Sequence, residues 1–371
     1  MGIKQLMQLI NEKASGAVKK LPLDRYSGQI VACDASMAMY QFLIATQFST
    51  KSGLGMLTDS DGNHTAHLLG LFNRTIMFLE NRVKPIWVFD GRPPTMKAAE
   101  LEKRKKAKEE AEENVEKAIE EGKEEDIKKF GQRTIRITPE MKEDAMQMLR
   151  LMGVPVIQAP CEAEAQCAHL VKLGKAQAVA SEDMDSLTFG ATYLLRGFNS
   201  KKEPIVEISY NELLAGLELN QREFIDLCIL LGCDYTEHIS GIGPVTGYKL
   251  IKQYGTIERV VDHISGSDKK KYAIPQEFNF EGARELFLTP EVDNCDGVEI
   301  QWNAPNEAEL SPYLIVQKGF AQARVDAGIQ KLKKIQGRPA QLVLEHFFGK
   351  AEVVKRKAPE PKGSAKKSKK K

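Results

Sequence analysis

Apolar residues fall along the chain in two rhythms. Uninterrupted short runs, Ile30-Val31-Ala32-Cys33, Pro85-Ile86-Trp87-Val88-Phe89 and Ala178-Val179-Ala180, have the length and composition of buried strands. Elsewhere apolar positions recur every three or four residues. Ile3, Leu6, Met7 and Ile10 predict a helix over 2–14, and the same spacing predicts helices over 36–46, 65–80 and 165–173. Residues 52–63, rich in Gly, Ser and Asp, read as a loop. Strands that alternate with helices in this way predict the α/β class.

From 95 to 130 the rhythm fails. Lys, Arg, Glu and Ala dominate, a strongly helical composition with too few large apolar residues to pack on a core. Lys97, Lys103, Arg104, Lys105, Lys106 and Lys108 come first, and Glu109, Glu110, Glu112 and Glu113 follow. Such a run is ordinarily a solvated helix or a short coiled coil. Its position directly after Asp90-Gly91 would make the basic half project from the rim of whatever the aspartates build.

Each strand-like run ends at an acid: Asp34, Asp90, and Asp183 with Asp185. In an extended segment residues i and i+2 point the same way, so Asp183 and Asp185 would stand side by side. Two such carboxylates repel unless protonated, paired with bases or bridged by a metal ion. No Lys or Arg lies between Lys175 and Arg196, which places the metal reading ahead of the ion pair. In open α/β sheets ligands bind beyond the carboxyl ends of the strands, so three strand ends can converge on one crevice. Glu162 and Glu164 precede the helix over 165–173, with Pro160 near its start. On a regular helix residues i and i+2 sit roughly 200° apart, so both reach one site only if the first turn meets it end-on. The alternative is an acidic first turn that complements the helix dipole.

Composition narrows the class. The 371 residues, 42% of them apolar, suffice for one large or two modest domains. No apolar run approaches the roughly 20 residues of a membrane span, and no signal-peptide core stands near the start. Met1-Gly2 opens like a myristoylation site, but Leu6 stands where Ser or Thr is wanted. Six cysteines show no Cys-x-x-Cys spacing, which fits reduced thiols better than a zinc ribbon or a disulfide framework. His64 and His67 are spaced like a ligand pair, yet their polar Asp-Gly-Asn context without a Cys partner reads as a surface loop. The formal net charge of +2 is unevenly spread, because residues 350–371 hold ten basic and two acidic residues. Rich in Ala, Pro, Gly and Ser between the lysines, that tail has too little to bury and is expected to be disordered. It reads as a nuclear import signal, a nucleic-acid contact or a solubilising terminus.

Between two further helical patterns lies His238-Ile239-Ser240-Gly241-Ile242-Gly243-Pro244. A Gly-Ile-Gly-Pro hairpin presents backbone N–H groups with no side chains in the way, a usable cradle for phosphate. With Lys249 and Lys252 on the following helix, it resembles the helix-hairpin-helix that grips DNA backbone without reading bases.

Taken together, Met1-Gly2-Ile3, Asp34-Ala35-Ser36, Val88-Phe89-Asp90-Gly91 with Pro93-Pro94, Ala159-Pro160-Cys161-Glu162-Ala163-Glu164-Ala165, Ser181-Glu182-Asp183-Met184-Asp185, Leu231-Gly232-Cys233-Asp234-Tyr235 and Gly241-Ile242-Gly243-Pro244 resemble the structure-specific 5′ nucleases, the XPG/RAD2-like family. The resemblance spans almost the whole chain. It implies a mixed α/β sheet with helices on both faces, a helical arch over 95–133, a helix-hairpin-helix module and a disordered basic C-terminal tail. The implied divisions are 1–108 and 126–257 for the two nuclease regions, 258–336 for a C-terminal region packed on the core, 341–349 for a clamp-binding peptide and 350–371 for the tail.

By the same resemblance Asp34, Asp90, Glu162, Glu164, Asp183, Asp185 and Asp234 would hold two Mg²⁺ ions, with Mn²⁺ as a substitute; oxygen-only ligands suit such hard cations. Two ions can assist in-line phosphodiester hydrolysis, leaving a 5′-phosphate and a 3′-hydroxyl. Lys97 and Arg104 match the family's basic pair at the scissile phosphate, and with Asp183 and Asp185 they form the implied catalytic set. Tyr40 matches an aromatic residue that stacks on the adjacent base, and Arg74 a backbone contact. Glu162, Gly232, Asp234, Gly241, Ile242 and Gly243 match further DNA-binding positions, with a K⁺ ion at the hairpin. Gln47 departs from the family, standing where relatives carry a basic contact. Gln341, Leu344, Phe347 and Phe348 fit Q-x-x-L-x-x-F-F, which resembles the peptide that docks on the sliding clamp PCNA.

The implied function is a 5′ flap endonuclease and 5′–3′ exonuclease of DNA replication, including Okazaki fragment maturation, and of base excision repair. It would act on branched DNA with a 5′ flap, as a monomer with up to three copies per clamp trimer, in the nucleus (nucleoplasm and nucleolus) and away from membranes. The competing readings are a clamp-tethered DNA-junction binder without catalysis, and a related gap nuclease or exonuclease. Seven concentrated carboxylates weigh against a protein that only grips phosphate.

Overall fold

Strands made wholly of apolar residues belong in the middle of a sheet covered on both sides, and the chain builds such a sheet. The structure, a computed structural model, describes residues 2–50, 53–55, 64–198, 204–266, 272–297 and 300–336. The N-terminal part runs α1 (Leu6–Lys13), β1 (Val18–Leu21), β2 (Ile30–Asp34), α2 (Ala35–Thr46), the small hairpin β3 (Phe48–Thr50) and β4 (Gly53–Gly55), α3 (Ala66–Glu80) and β5 (Lys84–Phe89). Next come α4 (Ala98–Glu120), α5 (Glu124–Thr134), α6 (Pro139–Leu151), β6 (Val156–Gln158), α7 (Ala163–Lys172), β7 (Ala178–Ala180) and α8 (Asp185–Thr188). The rest is β8 (Tyr193–Arg196), β9 (Ile205–Ser209), α9 (Tyr210–Leu217), α10 (Gln221–Leu231), α11 (Pro244–Tyr254), α12 (Ile257–Ser265), α13 (Phe280–Leu288), α14 (Glu307–Pro312) and α15 (Gln322–Gln336).

The main sheet has the order β1-β9-β8-β7-β2-β5-β6. Strands β8, β7, β2, β5 and β6 are parallel, while β9 and β1 extend one edge antiparallel. Ala32 lies opposite Ile86 and Val179, and these three feed one core with α1, α7, α9 and α10. Their chain neighbours Val31, Cys33, Trp87, Ala178 and Ala180 feed the other, with α2, α3, α6 and α15. The Trp87 indole satisfies its N–H on Thr75 Oγ1 at 3.0 Å, so its full burial leaves no stranded donor. From β2 the chain builds outward to β5 and β6 on one side, then to β7 and β8 on the other. The strand order reverses at β2, where the crevice of such a sheet opens.

The polar run after Asp90 is a short 3₁₀ turn, Thr95–Lys97, followed by the helix pair α4 and α5. Gly122, at φ 66°, turns the chain between the two helices in the left-handed region that glycine enters without steric cost. Ala111, Val115, Ala118 and Ile127 are buried on this pair, so small apolar residues suffice where large ones are missing. Farther on, α13 buries Phe287 in the first core, and α14 and α15 bury Leu310, Val325, Ile329 and Leu332 in the second.

His67 departs from the sequence reading. It lies in the first turn of α3, 1% exposed, with no well-formed hydrogen bond to either ring nitrogen, and is packed rather than looped. Helical spacing into Leu68, Leu71 and Phe72 overrides the polar context before it. All six cysteines are free and five are buried. Among the described residues no helix is long and apolar enough to cross a membrane. Gln341, Leu344, Phe347, Phe348 and the tail 350–371 lie outside the described residues.

Candidate active site

Neighbouring strands deliver their acids to one edge of the sheet. Asp34, the last residue of β2, caps α2 by accepting from Met37 N at 2.9 Å, and its other oxygen accepts from Ser181 Oγ at 2.9 Å. Asp90 follows β5 and accepts from Ala163 N at 2.8 Å, the start of α7. Glu162 is the N-cap of α7 and Glu164 its second residue, so the helix meets the site end-on and both glutamates reach it. Asp90, Glu162 and Glu164 each offer an oxygen within 4.8 Å of the others. Gly91 makes this approach feasible: its N–H donates to Cys161 O at 2.7 Å, and a Cβ there would stand 2.1 Å from Ala159 O.

Asp183 and Asp185 reach the site by a different geometry from the extended one expected. Strand β7 stops at Ala180, Met184 is helical (φ −78°, ψ −11°), and Asp185 opens α8. The two side chains are related by a turn in which Asp185 N donates to Asp183 Oδ1 at 3.1 Å, while Ser181 Oγ accepts from Asp183 N at 3.0 Å. Short Asp and Ser side chains favour such local backbone bonds over continued strand. Gly2 (φ +74°) packs against the pair; a Cβ there would lie 1.8 Å from Asp183 Oδ1 and 2.6 Å from Asp185 Oδ1.

Crowded acids away from water resist ionisation. Burial first, then Asp90, pushes the Asp34 carboxyl up to about 7. Burial likewise raises Glu164 and Asp185 well above the carboxylate range; Asp34, Asp90 and Asp183 add to the first, and Asp183 and Asp234 to the second. Asp183 and Glu162 rise too, chiefly by burial, with Lys97 opposing both. Two buried oxygens, Glu164 Oε2 and Asp185 Oδ1, have no hydrogen-bond partner. An oxygen-only donor set with stranded buried lone pairs suits a hard divalent cation, which would stabilise the ionised forms.

Two cations at this edge come from the foot of the arch. Lys97 Nζ lies 2.6 Å from Glu162 Oε2 and 3.5 Å from Asp234 Oδ2; Arg104 Nη2 reaches the same Asp234 oxygen at 2.7 Å while its Nε holds Glu100 at 3.0 Å. Burial lowers the Lys97 ammonium, but Glu162, Glu164 and Asp234 more than reverse this and hold it above its ordinary value. Tyr235 lies beneath Lys97 with its ring centroid 5.9 Å from Nζ. A cleft of about 660 Å³ opens beside these groups, between the arch foot and the 232–240 segment, with Lys4, Lys103 and His238 on its wall.

Other expected contacts stand farther out. Tyr40 is half-buried on α2. The Arg74 guanidinium, on α3, covers the Phe42 ring at 4.3 Å and donates to Phe198 O at 3.4 Å. Gln47, 8% exposed at the end of α2, turns inward with its Oε1 unpartnered. At the hairpin, Gly232 (φ 107°) ends α10, Gly241 (φ 87°) turns the chain, Ile242 is buried and Gly243 is the N-cap of α11, with Pro244 in its first turn. Lys252 is held by Glu218, 2.9 Å from Oε2, rather than presented to a phosphate.

Three contributors went unassigned in the sequence: Ser181, which ties Asp34 to the Asp183 turn, Gly2, and Tyr235 under Lys97. Each stood inside a motif that carries the resemblance, but its role depends on contacts that spacing does not encode.

Comparison with known proteins agrees with this geometry. The XPG N-terminal domain matches residues 1–111 and the XPG I-region residues 153–234. The chain is 51% identical over 362 residues to Flap endonuclease 1-2 of Paramecium tetraurelia, covering 95% of this chain and 93% of that one. It is 45% identical to Flap endonuclease 1 of Candida albicans (strain WO-1), over 100% of each. Among solved structures, flap endonuclease-1 from Methanococcus jannaschii superposes with a TM-score of 0.65 at 29% identity, covering 86% of this chain and 96% of that one. The catalytic core of Rad2 in complex with DNA substrate gives 0.69 at 25% identity, covering 89% and 100%. The two domain matches enclose all seven carboxylates, the relatives match from end to end, and the chain belongs to the flap endonuclease 1 family of XPG-type nucleases.

Proposed function

We propose that this chain is a divalent-metal-dependent, structure-specific nuclease that cuts DNA at the base of a 5′ flap and also degrades it 5′ to 3′. One observation carries the reading: seven carboxylates ring the carboxyl edge of the sheet, two with stranded buried oxygens, and two arch cations face them. A binder of phosphate gains nothing from concentrated negative charge, whereas metal-assisted hydrolysis requires it. Asp34, Asp90, Glu162, Glu164, Asp183, Asp185 and Asp234 would hold two Mg²⁺, which supply Lewis-acid assistance to hydrolysis when bound.

The protein's own groups do the rest. Lys97 and Arg104, held at the rim by Glu162 and Asp234, are placed to neutralise the charge that builds on the phosphate as water attacks phosphorus and the bond to the 3′-oxygen breaks. Tyr40 is assigned to stack on the neighbouring base, and Arg74 to a backbone phosphate. The Gly241-to-Gly243 amides, with Gly232 nearby, would hold the duplex through its backbone, with K⁺ as their ion. Residues 341–349 are assigned to the PCNA clamp and the 350–371 tail to nuclear import, for a monomer that acts in replication and base excision repair.

The test is digestion of end-labelled 5′-flap, nicked, bubble and 3′-flap DNAs side by side in Mg²⁺. Cutting concentrated on the 5′ flap, leaving a 5′-phosphate, supports the reading. Equal cutting of bubbles would reassign the chain to a related nuclease, and binding without cutting would leave only a junction binder.

A further inference from the structure

Helix α13 lies outside the carboxylate edge, yet it touches three parts that the proposed reaction must align. On its inner face Arg284, 6% exposed at the side chain, makes a bidentate pair with the fully buried Asp226 of α10: Nε to Oδ1 at 2.5 Å and Nη2 to Oδ2 at 2.9 Å. The same guanidinium donates to Glu258 of α12, Nη1 to Oε1 at 2.7 Å and Nη2 to Oε2 at 3.1 Å. Asp226 also accepts from Ile257 N at 3.1 Å, the first residue of α12. One planar group thus fixes the mutual rotation of α10, which leads into the hairpin, and α12, which follows the helix α11 that leaves it.

One turn on, Phe287 meets Tyr235 edge to face at 5.2 Å and Phe189 at 5.0 Å. Tyr235 follows Asp234 directly and lies beneath Lys97. At its other end α13 reaches the arch: a Cβ on Gly282 would stand 2.9 Å from the Met96 methyl, next to Lys97. A buried ion pair is weak evidence for stability, since matched apolar residues often serve as well. What it does supply is direction.

We propose that Arg284 is a positioning residue that, through α13 and Phe287, couples duplex held at the helix-hairpin-helix to the placement of Asp234 and Lys97. This coupling rests on the flap-nuclease reading for its purpose, though not for its structural test. A constraint imposed at the hairpin would then reach the carboxylate edge through one helix packed against all three parts.

Two arms test it. R284M leaves Asp226 buried and unpaired, so the double variant D226N/R284M is the cleaner probe, removing the stranded charge while Asn at 226 can still accept from Ile257 N. The double variant should melt near the wild-type temperature and bind flap DNA within about 3-fold, yet cleave about 10-fold or more slowly with enzyme in excess; R284K should recover part of that rate. Wild-type cleavage by a folded double variant overturns the proposal. In the second arm, amide exchange is followed in the unaltered protein with and without plain duplex. Slowing over 241–254 that spreads to 280–287 and 95–98 is expected, and slowing confined to 241–254 overturns the coupling even if the variants do not fold. A wild-type protein that shows the spread but cuts no flap would sink the nuclease reading and leave the coupling standing.

Discussion

Lys97 answers two demands with one side chain. It pairs with Glu162 and Asp234 in the described structure, and in the proposed reaction it would face the charge that builds on the phosphate. If it and Arg104 act on the transition state, Lys97→Ala and Arg104→Ala should each lower the single-turnover rate by roughly 10² or more while binding falls far less. A change confined to affinity would make them ordinary phosphate contacts. His67 offers a separate test of burial. Desolvation holds its imidazole down to about 4 against an ordinary value of 6.5. A depressed folded value means the unfolded chain takes the proton first. The stability contributed by neutral His67 is therefore complete above about pH 6.5 and is lost as pH falls towards 4, on the order of 3 kcal/mol at the full shift. Urea unfolding should show the wild type losing that much more than His67→Gln across this window. Parallel pH profiles would mean the ring is not buried as described.

At the scale of elements, the sheet was legible because its strands are buried on both faces. Three apolar runs with an acid after each sufficed to place Asp34 and Asp90 at strand ends. The end-on approach of α7, stated as a condition for Glu162 and Glu164, is met. The Asp183–Asp185 pair was found for an incomplete reason, since the carboxylates converge through a turn held by Ser181 and not through strand alternation. The arch was readable as helix, but its return through Gly122 was not, because alanine-rich pairing leaves little hydrophobic periodicity. Nor could spacing show that Arg74 lies over Phe42 or that Lys252 is held by Glu218. The clamp motif remains an expectation about an element that folds on its partner. Leu344, Phe347 and Phe348 at i, i+3 and i+4 would form a single apolar plug. Phe347→Ala with Phe348→Ala should abolish PCNA binding in calorimetry and clamp stimulation, and leave clamp-free flap cleavage intact. Unchanged affinity, or collapse of clamp-free cleavage, would refute a separable tether.

The whole molecule separates charge by place. The tail is strongly basic, so the chain before it is net acidic, and DNA cannot be gripped by overall charge. On the proposed reading, grip would come from local groups, the backbone hairpin and the arch cations, which would fix a branched substrate by shape and leave sequence unread. The same separation concentrates carboxylates where chemistry is to occur and keeps cations at their rim. This division makes binding and hydrolysis separable, and the central claim depends on it. The direct measurement is single-turnover cleavage of 5′-flap DNA in Mg²⁺ by wild type, Asp183→Ala and Asp185→Ala, with binding of the same DNA followed in parallel. Each variant should bind the flap with affinity near that of wild type and cut it at no measurable rate. Cleavage by either variant near the wild-type rate would contradict the assignment of these carboxylates to the metal site.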